Sequence, residues 1–216
     1  MLYLDFDGEE GPHEGWGDFD AAPFNFANSK IKNIWERVSE DFSPFNLNVT
    51  TDLQVFLEAP ETSRQRRIIT NTKDAAPSAG GVAYGGSFNW SGDTPCWGYL
   101  AGTKTCAEVV SHELGHTLDL AHDGRTTPSE TYYGGHGSGD TGWAPIMGVS
   151  YSKNLTQWAK GEYLNADNAE DDLALITSNN NSASYRLDDH GAIHATATPL
   201  GFTPFRRDRR RGPHRE

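Results

Sequence analysis

Apolar positions along the chain recur at two spacings. Over residues 29–42, Ile31, Ile34, Trp35, Val38 and Phe42 fall three and four apart, the period that lines one face of an α-helix. Asn28 or Ser29 offers an oxygen to the free N–H groups of the first turn, and Pro44 ends the helix. Residues 104–118 repeat the pattern with Val109, Val110, Leu114 and Leu118. A last helix is expected from about Ala169 to Thr177, with Asn168 as cap and Asp171 and Asp172 in its first turns, where acids meet the positive end of the helix dipole.

Alternation and β-branching predict strands at 2–6, 47–51 and 67–70, an edge strand at 87–90, and a further short strand at 96–100. Residues 123–144 carry six glycines and almost no period; loops of that length in compact domains are usually functional or disordered. An apolar island, Ala144-Pro145-Ile146-Met147, follows. The polar run at 179–182 reads as a boundary. One folded domain is therefore expected over 1–178, and a linker with a disordered Arg-rich tail over 179–216.

Composition narrows the class. Apolar residues make up 36% and charged residues 22%, a soluble globular profile. No apolar run reaches membrane-spanning length. The net charge is −12, and the stretch from Phe205 onward holds six Arg against Asp208 and Glu216, so its net +4 leaves −16 for the rest. A body so acidic repels nucleic acid. It suits an extracellular protein, with Ca²⁺ as a candidate ligand of the groups Asp5-Asp7-Glu9 and Asp167-Glu170-Asp171-Asp172; neither matches an EF-hand, and solvated charge is the plainer reading. Met1 opens straight into a strand, so a secreted location requires a leader that this chain lacks. Cys96 and Cys106 form either one disulfide or two buried thiols.

The candidate chemistry lies in His112-Glu113-Leu114-Gly115-His116. Two histidines four apart on a helix share a face and can turn their imidazoles to one Zn²⁺. Glu113 sits about 100° around from His112, placed to act as general base on water rather than as a ligand. In a chain with 8 His and 13 Glu the three-residue pattern arises by chance about 0.02 times, so accident is a poor explanation. A catalytic zinc also needs a third protein ligand and an open position. His122 supplies that ligand only if the chain turns back sharply after Leu118, and such a turn wants a residue with φ > 0. Asp119 stands there, one of the few non-glycine residues that enter that region at modest cost.

The whole run from His112 to Asp123 resembles the elongated zinc motif of the metzincin metallopeptidases, in which a Gly stands where this chain has Asp119. Ile146-Met147-Gly148 resembles that family's Met-turn, making Met147 the expected floor of the metal site. The order of helix, edge strand, zinc helix, loop, Met and last helix is similar to the catalytic domain of secreted bacterial, reprolysin-like members. The resemblance implies an α/β (α+β) fold: a two-lobed zincin domain with a twisted mixed sheet, an active-site helix and the Met-turn. It implies zinc on His112, His116 and His122, with Glu113 catalytic. Some metzincin-like enzymes use Asp as third ligand, so Asp123 stays open as the alternative. Val149 stands where several branches have a Tyr that approaches the metal. His136 is a further candidate ligand, read instead as a loop residue near the cleft; His13, His190, His194 and His214 read as surface.

The expected activity is that of a zinc metalloendopeptidase whose protein or peptide substrate adds as an extended strand to the edge at 87–90. Further domains beyond this chain are compatible with that reading. Two rivals remain at this point: a zinc hydrolase acting on another substrate, and an inactive adhesion or binding module that keeps zinc for structure. Retention of Glu113 argues against the second, since a structural site has no use for a base.

Overall fold

In the computed structural model, which describes residues 1–187, 193 and 195–199, two helices are pinned to one face of a mixed sheet. The elements run β1 (Leu2–Asp5), α1 (Asn28–Asp41), β2 (Val49–Thr50), α2 (Leu53–Glu58), β3 (Gln65–Ile69), β4 (Gly81–Val82), β5 (Cys96–Gly98) and α3 (Thr103–Thr117). After α3 come the hairpin β6 (Arg125–Thr126) and β7 (Ser129–Glu130), then β8 (Trp143–Pro145), β9 (Leu155–Gln157) and α4 (Asp172–Ile176). The main sheet has the order β2-β1-β3-β5-β4. Its first four strands are parallel and β4 is antiparallel at one edge. None of the described helices is long and apolar enough to cross a membrane.

The core follows from the helical periods. Ile34, Val38 and Phe42 of the α1 stripe are fully buried with Val110, Leu114 and Leu118 of the α3 stripe and Leu2 and Leu4 of β1. Each such side chain contributes roughly 1.5–3 kcal/mol by leaving water. Trp35 is half-buried and donates its indole N–H to the Val49 carbonyl, which ties α1 to the edge of the sheet.

Several local expectations change. Ala27, not Asn28 or Ser29, caps α1, with no side-chain bond. α4 is shorter than expected, and Asp171 rather than Asn168 caps it by accepting from the Ala174 N–H. Residues 87–89 form a 3₁₀ turn entered through Gly86 at φ +65°, so the edge strand is β4 instead. His13 is buried, not at the surface; its Nε2 meets the Phe19 carbonyl at 2.8 Å and its ring packs on Trp97. Cys96 and Cys106 are two buried free thiols.

The compact unit runs from Met1 to Arg186, past the boundary expected at Ser178. Asn181 is buried and donates to the Leu118 and Leu175 carbonyls. Asn46 N–H donates to the Ser184 carbonyl, and Arg186 N–H to that of Pro44. A polar run reads as linker when most of its partners, here Pro44, Asn46 and Leu118, lie far off in sequence. Residues 187–216 form a second unit, within which Thr196 N–H donates to the Ile193 carbonyl. His190, His194, His214 and the Arg-rich stretch lie outside the described residues.

Candidate active site

α3 presents His112 and His116 one turn apart, with ring centroids 4.8 Å apart. The helix ends in a Schellman motif: Leu120 N–H donates to the Gly115 carbonyl (3.1 Å) and Asp119 N–H to that of His116 (2.9 Å). The residue between them must be left-handed, and Asp119 has φ +74°. The chain thereby reverses at the position expected from the sequence and brings back His122, whose Nε2 lies 2.9 Å from His116 Nε2. Nitrogens of His112, His116 and His122 all lie within 4.8 Å of one another. Among the described residues no other group of His, Cys, Asp or Glu converges in this way.

These residues fit a zinc ion. Nδ1 of His112 faces the Ile146 carbonyl at 2.9 Å and Nδ1 of His116 faces the Leu120 carbonyl at 2.7 Å. A carbonyl can only accept, so both rings carry their proton on Nδ1 and leave Nε2 bare, the arrangement a metal-bound histidine needs. Burial, the largest cause, drives the pKa of His112 down to about 3 and that of His116 to about 4, and lowers that of His122. Burial therefore favours the neutral, metal-binding form of each ring. Burial also pushes Glu113 up to about 7, opposed by the guanidinium of Arg67. Arg67 is itself fully buried on β3, donating from Nη2 to the Val109 carbonyl.

The segment at 145–148 closes the site from below. Gly148 N–H donates to the Pro145 carbonyl, forming a turn, and the carbonyls inside the turn are both used. That of Ile146 fixes His112, and that of Met147 accepts from Asp123 N–H, next to His122. Met147 is fully buried. Its Sδ lies 2.5 Å from where a Cβ on Gly115 would stand, so only glycine lets the helix come this close. Asp123 is buried with its side chain outside the imidazole cluster. Burial, aided by the charges of Glu170 and Asp167, pushes Asp123 up to about 7. His136 also stands apart, its Nδ1 3.1 Å from the Tyr133 hydroxyl and its ring against Trp143.

Contributors that sequence reasoning missed surround these residues. The acidic run that offered itself for Ca²⁺ holds the returning loop instead: Glu170 accepts from Ala121 N–H (2.9 Å) and Asp167 from Gly124 N–H (2.8 Å). Tyr132 lays its ring 4.4 Å from that of His122. No local pattern marks these contacts. Glu108 is different, since it lies four residues before His112 on the same helix face and could have been found by that spacing.

All of this opens on one cavity of about 660 Å³. One wall is β4 with its flanks, residues 78–83, and α3 contributes Glu108, Val109, His112 and Glu113. The opposite wall is Ile146 and the segment 148–151, with Tyr132 at its side. β4 approaches α3 closely: a Cβ on Gly81 would stand 2.7 Å from Glu113 Oε1.

Residues 26–159 match the family model of a reprolysin group described as metallo-peptidase family M12. The match spans α1, strands β2 to β5, the histidine cluster and the Met147 turn, and begins after β1. No curated protein matches the chain.

Proposed function

Because the chain belongs to metallopeptidase family M12, we propose that it is a zinc-dependent endopeptidase acting on a peptide laid in extended form across the cavity. The observation that carries this reading is the convergence of three imidazoles beside a buried carboxylate on the wall of one cavity. His112, His116 and His122 are the residues that would hold the metal. A zinc ion held by them would polarise a carbonyl oxygen and lower the pKa of water to about 7.

The chain's own residues do the rest. Glu113 takes a proton from the attacking water on a carboxylate oxygen and hands it to the amide nitrogen as the C–N bond breaks. Gly81 leaves that carboxylate free at the cavity wall, where any side chain would press on it. β4 is the last strand of its sheet, so its outer edge can pair main chain to main chain with an extended substrate. Val82, Ile146 and Val149 line the same space and exclude water from around the scissile bond.

Glu113→Gln is the test. The amide cannot accept the proton, so the variant keeps its zinc and loses turnover on a casein-type substrate by about 10²-fold or more. Hydrolysis at the wild-type rate removes Glu113 from the role. A wild type that holds zinc and cleaves no protein points to one of the rivals, a structural zinc module or a hydrolase of another substrate.

A further inference from the structure

The cavity does not end at the histidines. It continues along α3 to Glu108, one helical turn before His112. Glu108 is only 6% exposed, and its carboxylate is held from two sides. The Ser150 hydroxyl donates to Oε2, and Lys104 Nζ donates to Oε1 at 3.0 Å and to the Ser150 carbonyl at 3.0 Å. Ser150 belongs to the segment that follows the Met147 turn, so this network joins the two walls of the cavity. Lys104 does not line the cavity, whereas Glu108 and Ser150 do. The ammonium reaches the carboxylate from behind.

A carboxylate has about four acceptor positions, and two of them are used here. Glu108 lines the same space as Val109, Ile146, Val149 and Tyr151. We propose that this recess receives the substrate side chain beside the scissile bond, and that Glu108 selects Lys or Arg there. The inference rests on the peptidase reading above. In that reading Glu113 protonates the leaving nitrogen, so the residue that keeps this nitrogen is the one on the Glu113 and Glu108 side.

Lys104 balances the charge of Glu108 from behind, so the preference comes from hydrogen bonding to the carboxylate's remaining acceptor positions. A long aliphatic stem lies along the valines and Ile146 while its cationic tip stays hydrogen-bonded. The distance from His112 to Glu108 is about 6 Å along the helix axis, a reach for the four-carbon stem of Lys or for Arg and beyond that of Ser or Asn. A Leu would fill the apolar part and leave the carboxylate facing a dry space, which is costly. A Glu side chain would meet Glu108 and Glu113 together. The net charge of −12 also draws cationic peptides toward the protein before they bind.

The test uses the zinc-loaded full chain and a peptide series that varies only the residue after the cleaved bond: Lys, Arg, Leu, Gln and Glu. Wild type is expected to favour Lys and Arg over Leu in kcat/KM by about tenfold or more, because charge-assisted hydrogen bonds are about twice as strong as neutral ones. Glu108→Gln, isosteric and still able to accept from Ser150, should remove most of that preference. Glu108→Leu should reverse it toward Leu. Calorimetry of the same peptides on the Glu113→Gln protein gives a ranking that needs no turnover, with Lys bound more tightly than Leu. If wild type cleaves none of the series, the peptidase reading fails, and the calorimetric ranking still decides on the recess. Equal affinity for the Lys and Leu peptides, or a Lys preference that survives Glu108→Gln, overturns the proposal.

Discussion

Asp119 is the residue on which the returning loop depends, and its substitution puts a magnitude on that dependence. It is exposed, at φ +74°, between the two bonds of the Schellman motif. Its side chain makes no core contact, so replacing it acts through the backbone. The left-handed conformation costs an L-residue roughly 1–2 kcal/mol, less for Asp. Asp119→Gly removes that cost and raises unfolded-chain entropy by about 0.4–1 kcal/mol, so its stability should stay within about 1 kcal/mol of wild type. Asp119→Val puts a β-branched side chain where φ is positive, a strain of about 1–3 kcal/mol. At roughly 2–4 °C per kcal/mol for a chain of this size, melting should fall by about 4–8 °C for a 2 kcal/mol strain. Zinc affinity should fall with it, because His122 is presented only while the turn holds. Thermal melts and zinc titrations of wild type, Gly and Val proteins measure both. A Val variant that melts and binds zinc like wild type would refute the reasoning that the left-handed turn delivers the third histidine.

Two further predictions test the surroundings. His122→Ala should weaken zinc binding far more than Asp123→Ala, because His122 alone of the two reaches the cluster; the opposite order in a metal-competition titration moves the ligand to Asp123. Burial pushes Asp41 up to about 7 from the ordinary 3.8, even though Ser111 donates to it. Between those values the folded state holds a proton that the unfolded chain has released, so this contribution to stability is present in acid and lost as pH rises toward 7. Asp41→Asn should flatten that part of the pH dependence, seen as a smaller drop in urea midpoint between about pH 4.5 and 7.5; an unchanged drop would contradict it.

The parts of the molecule legible in the sequence are those whose signal is local. α1 and α3 show full apolar stripes, and Asp119 was marked because a single position had to be left-handed. α2 was missed because Leu53 and Leu57 point outward and only Phe56 is buried, so no stripe forms, although Asp52 caps it in the usual way. Residues 87–90 look like a strand because Phe88 and Trp90 alternate with polar residues, but Gly86 turns the chain into a 3₁₀ segment first. β4 is a Gly-Val pair with no alternation to read. In the site, His112, Glu113 and His116 share one helix and were plain. The clamps on the returning loop from Asp167 and Glu170, and the Glu108–Ser150 link across the cavity, join residues about forty or more positions apart. Such contacts exist only once the fold has formed.

The central claim, that this fold is a zinc-dependent peptidase, is tested most directly by following hydrolysis of one protein substrate through removal and return of the metal. The purified chain should cleave, stop when a chelator strips its zinc, and recover when about one zinc per chain is restored. Undiminished cleavage by protein shown to be free of metal would contradict it.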